Sequence, residues 1–280
     1  MVFSIFYFSG TGNTKWAAAE TVKIAERNGH RANMYSIDNF RDRTPEYFTS
    51  PVRESDCIGF ANPIYGATLP KIMKDFIFFL TGEWMKEQIP IKPVFVINTV
   101  GYVNAFGPFE AKKLFDSDCF YLQAYCNIRL CNNVSTPKFK SVPVSSEKLN
   151  VRKARAVTKL EHMIHRLGNS KKMIRGIGPY LLPGILIRKR MAPEIENYYR
   201  TLQVQNETCT RCMACVNNCP TRAISYDGEK FVFSDRCSAC MRCYNFCRTA
   251  SILVDGKFGD PAEYIRYRGP EGKKVKESTL

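Results

Sequence analysis

The chain has 280 residues and a formal net charge of +15, and 45% of its residues are hydrophobic. This length predicts about two domains, and the apolar share is enough for a buried core and excludes wholesale disorder. Its apolar runs are far shorter than the ~20 residues of a membrane-spanning helix, so we expect no transmembrane segment. Residues 151–200 contain 12 basic and 3 acidic residues, a net charge of +9. No nucleic-acid-binding pattern accompanies this charge, so we expect no nucleic-acid partner.

Residues 1–168 alternate between strand-like and helix-like segments, which predicts a doubly wound α/β sheet of five parallel strands. The predicted strands are short and apolar, as in sheets covered on both faces, and they are Val2–Phe8, Arg31–Ser36, Cys57–Ala61, Val94–Thr99 and Tyr121–Ile128. The helices predicted between and after them are Thr14–Asn28, Pro70–Leu80, Pro108–Phe115 and Ser146–Leu167. Periodicity alone leaves a flavodoxin-like strand order and a small Rossmann half open. The first strand has no basic residue before it, so it is not read as a signal peptide.

A glycine- and hydroxyl-rich loop, Ser9-Gly10-Thr11-Gly12-Asn13-Thr14, joins the first strand to the first helix. Glycines permit a tight turn, hydroxyls offer hydrogen-bond donors, and a helix N-terminus favours an anion. The loop lacks the Gly-Lys-Ser/Thr ending of a P-loop, and Lys15 stands where a dinucleotide loop has its third glycine. The pattern therefore predicts a phosphate site of another kind, with an ordinary helix-capping turn as the alternative.

Two further loops leave the carboxyl ends of neighbouring strands, where open α/β sheets bind ligands. They are Asn62-Pro63-Ile64-Tyr65-Gly66 and Thr99-Val100-Gly101-Tyr102. With the first loop they resemble the three FMN-binding loops of flavodoxins, a resemblance that covers residues 1–168. It implies FMN phosphate on the Ser9–Thr14 loop and the isoalloxazine ring between the other two. Tyr65 or Tyr102 would stack on the ring, and Gly101 would let the backbone approach it.

Eight of the 12 cysteines form two successive copies of Cys-x2-Cys-x2-Cys-x3-Cys. The first copy is Cys209, Cys212, Cys215 and Cys219, and the second is Cys237, Cys240, Cys243 and Cys247. A chain without an export signal keeps such thiols reduced, so we expect metal ligands and a cytoplasmic location rather than disulfides. The duplicated spacing predicts iron–sulfur clusters, with zinc as the alternative.

The repeat resembles bacterial-type ferredoxins with two [4Fe-4S] clusters, over about residues 200–255. In such proteins the fourth cysteine of each copy ligates the other cluster. This implies one cluster on Cys209, Cys212, Cys215 and Cys247 and another on Cys237, Cys240, Cys243 and Cys219. Pro220 follows Cys219 as in that family. Arg248 replaces the proline expected after Cys247, so we expect the cluster that Cys247 helps to hold to differ in turn geometry and potential.

Together the two resemblances match flavodoxin–ferredoxin fusion proteins of anaerobic bacteria and archaea. They divide the chain into a flavodoxin-like FMN-binding domain (1–168), a basic linker (169–200) and a small α+β ferredoxin-type domain (201–257). A polar tail (258–280) follows, which we expect to be frayed. Glycines and prolines in the linker, such as Pro183, Gly184 and Pro193, are expected to interrupt any long helix.

The resemblance implies an electron carrier that passes electrons between FMN and two [4Fe-4S] clusters. No catalytic triad or carboxylate pair is present, so no catalytic residue is assigned. A flavin-dependent reductase of a small molecule and a ferredoxin with a flavin-free docking domain are the alternatives. The expected partner is a redox protein, an acidic one if the basic segment takes part. We do not expect peripheral membrane contact.

Overall fold

The computed structural model describes residues 1–101, 107–115, 118–174 and 181–271. Its N-terminal part is a parallel sheet with strand order β2-β1-β3-β4-β5-β6. The strands are β1 (Val2–Tyr7), β2 (Arg31–Ser36), β3 (Cys57–Pro63), β4 (Lys92–Val100), β5 (Phe120–Arg129) and β6 (Met173–Ile174). The order 2-1-3-4-5 is that of the flavodoxin-like doubly wound fold, so this predicted fold class is confirmed. The structure adds the short β6, which pairs with β5.

Helices cover both faces of this sheet. α1 (Asn13–Arg27) and α5 (Ser146–Gly168) pack on one face. The other face is covered by α2 (Glu46–Glu54), α3 (Lys71–Lys86) and α4 (Pro108–Phe115). Because side chains alternate along a strand, β1 supplies both cores. Its Phe3 and Ile5 face α1 and α5, and its Phe6 faces an aromatic-rich core on the other side.

The segment that follows the sheet is helical, which the sequence analysis did not expect. α6 spans Leu181–Glu196 and leads into a 3-10 turn, Tyr198–Thr201. The expectation that prolines would interrupt it is wrong. Pro183 lies in the first turn, where an N–H has no intrahelical acceptor, and α6 continues through Pro193 to Glu196. No helix in the described part of the chain is long and apolar enough to cross a membrane.

The C-terminal part contains two small antiparallel sheets and two short helices. β7 (Leu202–Val204) pairs with β10 (Ile252–Val254), and β8 (Ile224–Tyr226) pairs with β9 (Phe231–Phe233). The helices are α7 (Ala214–Asn217) and α8 (Arg242–Phe246). Left-handed backbone conformations recur at equivalent positions of the two copies, at Arg211 and Ala239, Met213 and Met241, and Arg222 and Ala250. The sequence repeat is therefore also a repeat of backbone geometry.

The tail is ordered as far as residue 271, so the expectation of a frayed tail is wrong for 258–271; residues 272–280 lie outside the described part. Tyr267 is only 7% exposed, and its N–H donates to Asn245 Oδ1 at 2.8 Å. Its hydroxyl donates to Asn13 Oδ1 at 2.5 Å. A Cβ on Gly12 would lie 3.1 Å from Gly269 Cα. The tail thus packs on the glycine loop at the other end of the chain.

Candidate functional site

The cysteine loops repeat their contacts with sulfur. In the first copy the N–H of Arg211 donates to Cys209 Sγ at 3.4 Å, and the Thr221 hydroxyl lies 3.7 Å from Cys219 Sγ. In the second copy the N–H of Ala239 donates to Cys237 Sγ at 3.4 Å, and the Thr249 hydroxyl lies 3.6 Å from Cys247 Sγ. Hydrogen bonds to ligand sulfurs stabilise thiolates and tune the potential of an iron–sulfur cluster.

Cysteines of the two copies lie close enough to influence one another's pKa, since burial, followed by Cys240, Cys237, Cys219 and Cys215, raises the pKa of Cys243. Burial, followed by the charges of Cys247 and Cys209, raises the pKa of Cys215 to about 11. Burial likewise raises the pKa of Cys237 to about 12, with Cys219 among the neighbouring sulfurs. Following the crossed ligand sets that the ferredoxin resemblance implies, we call Cys209, Cys212, Cys215 and Cys247 the outer group and Cys219, Cys237, Cys240 and Cys243 the inner group.

The donor chemistry of both groups fits iron–sulfur clusters. Each group offers four thiols and no nitrogen or oxygen ligand of its own, which is the ligand set of a [4Fe-4S] cluster. Burial raises the pKa of Cys215, Cys237, Cys240 and Cys243, so a neighbouring cation would favour their thiolate forms. Within the described ranges, no three His, Cys, Asp or Glu side chains lie close enough to hold a single metal ion.

The glycine loop lies at the N-terminus of α1. The N–H of Gly12 donates to Ser9 Oγ at 3.1 Å, and the Thr14 and Thr99 hydroxyls lie 2.7 Å apart. Among the described residues, the N–H groups of Gly10 and Thr11 have no acceptor. Unpaired N–H groups and hydroxyls at the start of a helix suit a phosphate group. The loop therefore fits the phosphate end of FMN.

The other two predicted loops lie beside the glycine loop. The N–H of Ile64 donates to Thr99 O at 3.1 Å, which joins them directly. The Tyr65 hydroxyl contacts Gly10, and burial, followed by the neighbouring Cys240, raises the Tyr65 pKa. A Cβ on Gly101 would lie 2.7 Å from Asn132 Cα, so the backbone that approaches this glycine closely is that of residue 132. Tyr102 lies outside the described residues.

A cavity of about 610 Å³ lies between these loops and the rest of the chain. Its volume is within the range of small-molecule and cofactor sites. Predicted site residues that line it are Ser9, Gly10, Thr11, Asn13, Thr14, Pro63, Ile64, Tyr65, Gly66, Thr99 and Gly101. Gly12 is not among the lining residues, nor is the buried Asn62, whose side-chain amide donates to Asn98.

The sequence analysis missed the far wall of this cavity. One side of it is α6, through Ile187, Met191 and Ile195, and another is the inner cysteine loop, through Ala239 and Met241. α6 lies directly against the predicted flavin loop, because a Cβ on Gly66 would contact Ile195 and lie 3.3 Å from Met191 Cβ. Glycines and prolines at the start of α6 concealed this element.

Arg242 joins the two halves of the molecule, and the sequence analysis also missed it. It lies between two inner-group cysteines, and its Nη2 and Nε donate to Ser9 O at 2.7 Å and Gly10 O at 3.1 Å. Its Nη1 donates to Asp38 Oδ2 at 2.8 Å. The first copy has Ala214 at the equivalent position. This difference between the two copies is the sequence feature that could have identified Arg242.

Comparisons with known proteins match the two parts separately. The family described as "4Fe-4S dicluster domain" matches residues 201–248. A Streptococcus pneumoniae TIGR4 flavodoxin structure is 17% identical, covers 60% of this chain and 99% of its own, and has a TM-score of 0.40. Megasphaera elsdenii flavodoxin is 19% identical, covers 45% of this chain and 85% of its own, and has a TM-score of 0.36. Rubredoxin oxygen:oxidoreductase from Desulfovibrio gigas is 12% identical, covers 60% of this chain and 36% of its own, and has a TM-score of 0.43.

No curated protein matches the chain. The strand order of the sheet and the family match at residues 201–248 nevertheless describe both of its parts. The chain thus joins a sheet of flavodoxin-like strand order to a segment that matches the 4Fe-4S dicluster domain family over residues 201–248.

Proposed function

We propose that this protein carries electrons between FMN, bound in the cavity, and two [4Fe-4S] clusters. One observation carries the proposal, namely that the loop containing Cys240 forms part of the cavity wall. Ala239 and Met241, on either side of Cys240, line the cavity. When bound, a flavin exchanges one or two electrons and each cluster exchanges one, so the protein's part is binding, orientation and tuning of potential.

The glycine loop and its two neighbours would hold FMN. The N–H groups of Gly10 and Thr11 and the start of α1 suit the phosphate. The apolar side chains of Ile64, Met191 and Ile195 line the part of the cavity available to the ring. α6 lies against the Gly66 loop and so forms one side of this part of the cavity.

The two cysteine groups differ in exposure, which supports an order of transfer. Cys240 of the inner group is 8% exposed and is part of the hydrophobic core of the sheet domain. Cys212 of the outer group is exposed to solvent. The inner cluster would therefore exchange electrons with the flavin, and the outer cluster would exchange them with a redox protein partner. The reduced thiols suit a cytoplasmic location.

Composition is the direct test of the cofactors. Protein prepared anaerobically should contain about eight iron and eight acid-labile sulfide per chain, from two four-iron clusters, together with one FMN. Stoichiometric zinc without sulfide would overturn the cluster assignment. Clusters without flavin would instead support the flavin-free docking domain.

Two cysteine substitutions test the order of electron transfer. Cys212→Ser should remove the outer cluster, keep reduction of the inner cluster by photoreduced FMN, and slow reduction of an external electron acceptor. Cys119→Ser is the matched control, because Cys119 is a buried core residue outside both groups. If Cys212→Ser leaves the rate of reduction of the external acceptor unchanged, the outer cluster does not pass electrons to that acceptor.

A small-molecule reductase is a second candidate, favoured by one feature of the cavity. The cavity extends past the three flavin loops to Phe139, Ile187 and Tyr198, none of which lies in those loops. This apolar extension could accept a flat hydrophobic oxidant beside the flavin. Catalytic reoxidation of the dithionite-reduced protein by a soluble quinone would support it. Stoichiometric reoxidation without turnover would favour the carrier.

A further inference from the structure

The geometry of two peptide groups in the glycine loop assigns a role to Arg242. In a trans peptide the C=O and N–H point in opposite directions, and no cis peptide is present in the described residues. Ser9 O belongs to the peptide that carries the Gly10 N–H, and Gly10 O to the peptide that carries the Thr11 N–H. Arg242 donates to both oxygens. Both N–H groups therefore point away from Arg242.

Arg242 is itself held in place from several sides. The side chain is 18% exposed, and Nη1 donates to Asp38 Oδ2 at 2.8 Å and to Asn218 O at 3.0 Å. A planar guanidinium with several fixed acceptors is a rigid fork that can orient two carbonyl groups at once.

We propose that Arg242, a residue of the dicluster domain, is a positioning residue for the flavin phosphate. By fixing the carbonyls of Ser9 and Gly10, it aims the N–H groups of Gly10 and Thr11 at the anion site. It also places a positive charge behind both peptide dipoles. This inference rests on the proposed binding of FMN in the glycine loop.

The same contacts link flavin binding to the inner cluster. Arg242 lies between Cys240 and Cys243, so any rearrangement of that loop moves the guanidinium that orients the phosphate site. Coupling of two binding sites is reciprocal in free energy. Loss of the inner cluster should therefore weaken FMN binding, and bound FMN should stabilise the inner cluster by the same free energy.

The test compares FMN with riboflavin, which has the same ring and no phosphate. Arg242→Gln should raise the dissociation constant of FMN, measured by fluorescence quenching, by roughly 10- to 100-fold. Arg242→Lys, which keeps the charge but loses the fork, should give a smaller increase. Riboflavin binding should change little in both variants. Arg222→Gln is the matched control, because it removes an arginine that pairs across the same junction with Asp42 at 2.7 Å.

Each outcome decides between explanations. Weaker FMN binding with unchanged riboflavin binding supports the positioning role. An equal loss of both ligands in both Arg242 variants shows a general structural defect and overturns it. Unchanged FMN affinity also overturns it, while wild-type binding keeps the proposed function. Wild-type protein that binds no FMN overturns the proposed function and this inference together.

Discussion

Gly10→Ala tests how closely the glycine loop and the inner cysteine loop approach each other. A Cβ at this position would lie 2.7 Å from Cys240 O and 3.1 Å from Cys240 Cβ, and it would also contact the Tyr65 hydroxyl. Favourable contacts need about 3.5–4.0 Å, so the two loops must separate by close to 1 Å.

The size of the effect follows from what the new methyl group meets. Overpacking typically costs about 1–3 kcal/mol. The nearest atoms include the backbone of a cysteine loop, which cannot rotate away as a flexible side chain can, so we expect about 2–3 kcal/mol. Gly82→Ala is the matched control. Gly82 lies in α3 with no atom within 4 Å of its added Cβ, and alanine should stabilise that helix by roughly 0.5–1 kcal/mol.

Guanidinium chloride denaturation under argon, followed by far-UV circular dichroism and cluster absorbance, measures both changes. The denaturation midpoint should fall for Gly10→Ala and rise slightly for Gly82→Ala. A Gly10→Ala midpoint at or above that of the wild type would refute the close approach of the two loops.

Three other predictions address separate parts of the molecule. Burial and the N-terminal ammonium lower the pKa of His30. As the pH falls through about 6.5, the unfolded chain therefore takes up a proton before the folded protein does, and the free energy of unfolding decreases. His30→Gln should make this decrease smaller, as measured by denaturation midpoints from pH 7.5 to 5.5. Tyr267→Phe should cost about 0.5–1.5 kcal/mol of unfolding free energy, because it removes the hydrogen bond to Asn13; an unchanged midpoint would show that this bond contributes nothing. The double variant Lys189→Glu, Arg190→Glu on α6 should slow reduction of an acidic partner roughly tenfold at low salt and little at high salt. Stopped-flow rates equal to those of the wild type at both salt concentrations would exclude electrostatic steering by these residues. Arg188 is left intact in that test because it pairs with Glu110 at 2.9 Å.

The features that the sequence predicted are those determined by local pattern. Buried runs such as Val94–Thr99 identify strands of a covered parallel sheet, and the loop Ser9–Thr14 has a phosphate-site composition wherever it is placed. The cysteine spacing is also a local pattern, since each copy lies within eleven consecutive residues. These patterns need no knowledge of how the domains meet.

The missed features depend on tertiary context. α2 is a short helix with Pro51 inside it, so its propensity is weak and packing against the sheet stabilises it. α6 has a helix-breaking composition but a proline in its first turn, where it is tolerated. The roles of Arg242 and Tyr267 depend on partners near the opposite end of the chain. No periodic pattern identifies such contacts, because they arise only when the two domains dock.

The contact between Tyr267 and Asn13 joins residues 254 positions apart. The ribosome releases the glycine loop well before the residues that cover it, because a chain is synthesised from its N-terminus. Contacts of such long sequence separation are also slow to form. We therefore expect the loop to stay uncovered until residues 201–267 have been synthesised, and its closure over Gly12 to follow folding of the sheet. Loading of the flavin before that step would not require any opening of the finished protein.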